Sequence, residues 1–275
     1  MNITDSDSDN LMSWLTHTSV GYSIVLALLF AVAAGLVGSF GLMKRMLLAG
    51  DVVSHLALPG IGVAFLLKIN PLLGAATTLF LGTLLIWQLQ KKTGLATESV
   101  IAVVFAAALG IGAAIIPSDE LVDALFGKNH ATSLFGFLLG ALAVFFIIAS
   151  IWKLRDRLVL SLFSPEVATA TGVNVDRINL YFLLLFSLTI LVGLRFMGAL
   201  LAGSLIILPA AIGRRLTNKM SHFLIASSVA STISVGFGLL LNAAVPKFGP
   251  GPSIVMVATL LFCISLIKGV KRAGI

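Results

Sequence analysis

Val20–Leu42 reads VGYSIVLALLFAVAAGLVGSFGL, an apolar run without a single charged side chain, and it is followed at once by Lys44 and Arg45. A helix rises 1.5 Å per residue, so a run of this length covers the roughly 30 Å of hydrocarbon in a bilayer. The same grammar recurs along the chain: an apolar stretch, then a short break carrying charge, Gly or Pro. Expected spans fall near 20–42, 52–67, 71–89, 98–116, 133–152, 178–196, 198–213, 222–242 and 253–268. The fold class expected is therefore all-α, a polytopic membrane bundle of about nine transmembrane helices, with eight to ten admissible.

Composition agrees. Of 275 residues 59% are hydrophobic and 11% charged, and the mean hydropathy is +1.10, more apolar surface than one water-soluble core absorbs. The 26 glycines suit closely packed helices. No tract is long enough to form a separate soluble module, so residues 20–270 read as one transmembrane domain after an extracytoplasmic acidic tail at 1–19. That tail, MNITDSDSDN onward, lacks the basic start of a cleavable signal, and the first span is expected to be retained. Cys263 is the sole cysteine, which excludes an internal disulfide and a Cys cluster for metal.

The net charge of +7 and the pI near 9.9 would suit a nucleic-acid partner if the charge formed one patch. It does not. With the N-terminus outside, all but Lys68, Lys128, Arg195 and Lys247 of the 18 Lys and Arg fall on the same side of the membrane. This is the positive-inside distribution, which implies an external N-terminus and a cytoplasmic C-terminus; no nucleic-acid partner is expected.

Asp51 and His55 stand at the start of a short expected span, in LLAGDVVSHLALPGIG (Leu47–Gly62). Spacing of i, i+4 puts both on one helix face. Carboxylate plus imidazole is a ligand pair for zinc, manganese or iron, and ionisable groups at membrane depth default to function. The competing structural reading is an Asp capping the span and a His hydrogen-bonded within the bundle. Ser204–Gly213 (SLIILPAAIG) echoes Ser54–Gly62 (SHLALPGIG) in placing a Pro in a short apolar segment, with opposite direction in the membrane. Pro-broken spans paired in this way point to inverted repeats around a transport site.

The longest cytoplasmic connection is expected at 153–177, and its centre has the signals of a short helix. Ser164 is placed to cap, Pro165 suits the first helical position, Glu166 suits the positive end of the dipole and Gly172 closes the turn. Phe163 and Val167 beside it are apolar where solvent is expected, which favours contact with a soluble partner.

Four motifs carry a family resemblance: GSFGLMKRMLLAGDVVSHLALPGIG at Gly38–Gly62, LFG at Leu125–Gly127, FSPEVATATG at Phe163–Gly172 and VGLRFMGALLAGSLIILPAAIG at Val192–Gly213. Together they resemble the permease subunit of the metal-type ABC importers, which bring zinc, manganese or iron into bacteria. The resemblance implies a multi-pass protein of the bacterial cytoplasmic membrane. Its implied partners are cytoplasmic ABC ATPase subunits, an extracytoplasmic metal-binding protein and a second permease copy. It implies that Asp51 and His55 are metal ligands. It also implies that Phe163, Ser164, Pro165, Glu166, Val167 and Gly172 couple the permease to the ATPase.

No enzymatic reading competes well. The chain has no G-x-x-x-x-G-K-[ST] and no H-E-x-x-H, so ATP would be used by a partner, and no cofactor is expected on this chain beyond the transported ion. The alternatives from other classes are an ion-coupled secondary transporter using Asp51 and His55 as a proton relay, a non-transporting scaffold, and a permease for a metal chelate such as a siderophore or vitamin.

Overall fold

The computed structural model describes residues 18–46, 49–115, 134–197 and 199–267, and the regular structure in them is helical throughout. The first helix, α1, spans Thr18–Met43. Two short helices follow, α2 at Ala49–Ser54 and α3 at Ala57–Leu66. Then come α4 at Pro71–Thr93, α5 at Thr97–Ile115, α6 at Leu134–Phe163 and the single-turn-scale α7 at Pro165–Ala170. The chain continues with α8 at Val175–Met197, α9 at Ala199–Leu216 and α10 at Met220–Ala244. A 3-10 turn at Pro246–Phe248 leads into α11 at Pro250–Ile267.

Each of the nine expected spans meets helix. Seven helices among the described residues are long and apolar enough to cross a membrane. The other two expected segments are α9, of 18 residues, and the shorter Gly50–Leu66 stretch that holds α2 and α3. Helices α8 and α9 lie against each other: a Cβ on Gly193 would lie 3.1 Å from the Ala202 Cβ, whereas nine residues of straight helix would separate them by about 13 Å.

Helix α1 sits at the centre of the bundle. Its apolar window is 72% buried, against 22% for that of α6, and Leu26, Phe30, Ala34 and Val37 are fully or almost fully enclosed. A helix apolar on every face belongs inside. Helices α6, α8, α9 and α10 pack around it, while α4, α5, α6 and α11 present leucine- and phenylalanine-rich faces outward. Polar side chains inside the bundle mostly bond locally: Ser39, Thr83, Thr189 and Ser234 donate to the carbonyl one turn earlier. Thr83 of α4 also meets Ser187 of α8 through their hydroxyls.

Three expectations are corrected. The span expected at 52–67 is two short helices, because of the break described below. The connection expected from Lys153 begins only at Ser164, since α6 continues as helix to Phe163. Its extension KLRDRLVLSLF keeps Leu154 and Leu158 on the packed side, with Leu158 1% exposed, so a drop in hydropathy marks the exit from the membrane and not the end of the helix. Finally, Ser204–Gly213 is not a broken counterpart of Ser54–Gly62. It lies within one continuous α9 that carries Pro209 in its interior.

Candidate functional site

The break between α2 and α3 follows from Pro59. In a continuous helix the N–H of residue 59 would bond the carbonyl of His55, and proline has none. That carbonyl instead accepts from Leu58 at 3.0 Å, and the Val53 carbonyl accepts from Leu56 at 3.0 Å. These i→i+3 bonds are the tighter 3-10 pattern, and they carry the chain across His55 and Leu56. Ser54 turns its hydroxyl back onto the Asp51 carbonyl at 2.6 Å.

Two glycine contacts place this segment. A Cβ on Gly203 of α9 would stand 2.6 Å from both the Cα and the N of Asp51, and a Cβ on Gly60 of α3 would overlap the Gly74 carbonyl of α4. Only hydrogen fits at either position, so α9 seats α2 and α4 seats α3. Helix α5 closes the remaining side, its Phe105 ring 5.6 Å from the His55 imidazole and tilted by 54°.

Asp51 and His55 do come together. Oδ1 of Asp51 and Nε2 of His55 are 4.0 Å apart; the His55 side chain is 13% exposed and that of Asp51 51%. Two donors each about 2.1 Å from a shared ion at a tetrahedral angle would be about 3.4 Å apart, so a small side-chain rotation brings the pair to ligating distance. Nδ1 of His55 is buried without a hydrogen-bond partner. No group of three or more His, Cys, Asp and Glu able to hold a metal occurs among the described residues. The pair alone offers two ligands.

The segment expected to couple to an ATPase runs from the end of α6 through α7 to Gly172. Phe163 ends α6 and is 70% exposed, and Val167 on α7 is 52% exposed. Pro165 opens α7 with Glu166 in its first turn, while Ser164 holds the N-cap position without a side-chain capping bond. Its carbonyl accepts from Ala168 at 2.9 Å. At the other end Gly172 adopts φ +80°, and Val173 and Gly172 donate to the carbonyls of Ala168 and Thr169 at 2.9 and 3.0 Å. Those two bonds make the Schellman closure that a left-handed glycine permits.

Sequence reading missed a polar cluster at the far end of α1. Lys44 donates to Oδ1 of Asn179 in α8 at 2.7 Å, and Asn179 donates to Oε1 of Gln90 in α4 at 3.2 Å. Phe105 and Gly203 were missed as well, though Gly203 lies in a motif already singled out. Leu125–Gly127, Lys128, His17 and His130 lie outside the described residues.

Comparison with known proteins bears on this arrangement. The chain is similar to the manganese transport system membrane protein MntC of Listeria monocytogenes, 27% identical over 254 residues that cover 91% of this chain and 90% of the relative. It is 30% identical to the zinc transport system membrane protein TroC of Treponema pallidum, over 91% of this chain and 89% of that one. Among solved structures, PsaBC from Streptococcus pneumoniae in complex with Fab superposes with a TM-score of 0.82 at 23% identity, covering 96% of this chain and 97% of that one. Residues 17–269 match the ABC 3 transport family, and with that extent of agreement in sequence and fold the chain belongs to that family.

Proposed function

We propose that this chain is the membrane permease subunit of an ATP-driven importer, and that it carries a divalent transition metal ion, zinc, manganese or iron, into the cytoplasm. The observation that carries the proposal is the Asp51–His55 pair at 4.0 Å, set at a helix break inside an apolar bundle. Relatives named for manganese and for zinc transport support it. Carboxylate plus imidazole ligates all three metals, and a pair of ligands suits an ion that must be released again.

Asp51 also speaks for a second permease copy. A carboxylate facing lipid near the bilayer centre costs roughly 2.5–3.5 kcal/mol even on insertion scales, and Asp51 is 51% exposed in the single chain. A second copy across a shared pathway would cover it and bring a second Asp51–His55 pair to complete the coordination shell. In this reading α7 seats in a cytoplasmic ATPase subunit, and a metal-binding protein delivers the ion from outside. The N-terminus is external and the C-terminus cytoplasmic.

The test is uptake of zinc, manganese and iron by the permease reconstituted with its ATPase. Asp51→Ala and His55→Ala should each abolish uptake of the cognate metal while ATPase association persists. Near-normal uptake by either variant overturns the ligand assignment. Comparing a deletion strain under limitation for each metal identifies the cargo.

A further inference from the structure

Helices α1, α6 and α10 enclose a groove of about 320 Å3. Val32 and Leu36 of α1 form its floor, Ile148 and Trp152 of α6 one wall, and Ile225 and Val229 of α10 the other. Both α6 and α10 pack on α1, and the groove is the space left between them. Trp152, Ile225 and Val229 are 68%, 63% and 50% exposed, so the groove opens onto the apolar outer surface.

One end differs in chemistry. Arg155 and Ser221 line it, with Nη2 of Arg155 donating to the Ser221 hydroxyl at 2.8 Å. The ion pairs found among the described residues are Asp51–His55 and Lys91–Asp176, and neither involves Arg155. Ser221 lies in the first turn of α10, which holds no acidic side chain, and Lys219 precedes it. The guanidinium is thus held at the positive end of a helix dipole with no acidic side chain in that turn, a place where an anion is favoured.

Depth identifies the anion. Twenty residues from Leu134, the start of α6, cover about 30 Å, which puts Arg155 at headgroup level and Trp152 in the belt that indole rings favour. An apolar slot on the lipid-facing surface that ends in a guanidinium at headgroup depth has the chemistry of a phospholipid.

We propose that this groove binds one anionic phospholipid, with an acyl chain along Ile148, Ile225 and Val229 and the phosphate on Arg155 and Ser221. Guanidinium matches phosphate through paired N–H donors. A zwitterionic headgroup would bring its own ammonium to the same positive end, so the site selects for net negative charge.

Trp152 reports occupancy directly. In the full-length chain with Trp14→Phe and Trp87→Phe, its fluorescence is measured in nanodiscs holding either phosphatidylglycerol or phosphatidylcholine with brominated acyl chains, which quench on contact. Brominated phosphatidylglycerol should quench with a roughly fivefold binding preference, the equivalent of about 1 kcal/mol from one basic residue at an anionic surface. Arg155→Gln should remove the preference and Arg155→Lys should keep most of it. Equal quenching by the two lipids overturns the proposal, and so does a preference that survives Arg155→Gln. Absence of quenching by either lipid also overturns it, and shows instead that protein covers the groove.

Discussion

Lys44 donates from Nζ to Oδ1 of Asn179 at 2.7 Å, and the same ammonium lies 4.9 Å from the centre of the Phe182 ring. Lys44 follows α1 and precedes the Asp51 segment, whereas Asn179 and Phe182 lie in the first turns of α8, just after α7. The contact ties the end of α1 to the start of α8 at one end of the bundle.

Burial pushes the Lys44 ammonium from its ordinary 10.5 down to about 8. The unfolded chain therefore holds more protons between about pH 8 and 10.5, and stability contributed by this group rises with pH across that window. Below about pH 8 both states are protonated and the full cost of burying the charge is present. Thermal melting of the purified protein and of Lys44→Met, followed from pH 7.5 to 10, should show the difference moving in favour of the wild type. A difference that does not change with pH would mean that Lys44 is not a buried ammonium.

Gly203 sets the position of Asp51. A methyl group there would sit 2.6 Å from the Asp51 backbone, and relieving such overpacking costs about 1–3 kcal/mol. Gly203→Ala should lower the melting temperature and impair uptake together. Gly110→Ala on α5, where a Cβ meets open space, should do neither. Unchanged stability in Gly203→Ala would show that α2 and α9 do not pack as closely as described.

The proposed coupling role of α7 yields a third expectation. Phe163 and Val167 expose apolar surface beside a helix start closed at its other end by a rigid glycine cap. Replacing Glu166 and Val167 together with Ala should weaken capture of the ATPase subunit, or uncouple its hydrolysis from uptake, without reducing membrane insertion. Wild-type capture with wild-type uptake would return α7 to the status of a connector.

Hydropathy and spacing sufficed for the long spans, the short helix after Ser164 and the proximity of Asp51 to His55, because each is decided within one stretch of chain. What escaped was decided between stretches. Lys44 and Asn179 lie 135 residues apart, and nothing in the periodicity of α1 or α8 reports the other. The continuation of α6 past Lys153 was hidden for a different reason: charged residues signal departure from the bilayer, while helix persistence there depends on Leu154 and Leu158 packing beyond the apolar run. The break at His55 sits four residues before the proline that causes it, since a proline acts on the carbonyl of the preceding turn.

That displacement makes Pro59 the most specific test of the site. Pro59→Ala would restore an N–H able to reach the His55 carbonyl, which now accepts from Leu58, and interior proline costs a helix roughly 3 kcal/mol relative to Ala. The substitution should therefore join α2 to α3 and raise the melting temperature. If the break is what sets the Asp51–His55 geometry, uptake should fall even though the protein is more stable and still binds its ATPase. Loss of stability together with uptake would indicate simple misfolding. A stabilised variant with full uptake would show that the pair works equally well on continuous helix, and that the break serves only to fit Gly60 against Gly74.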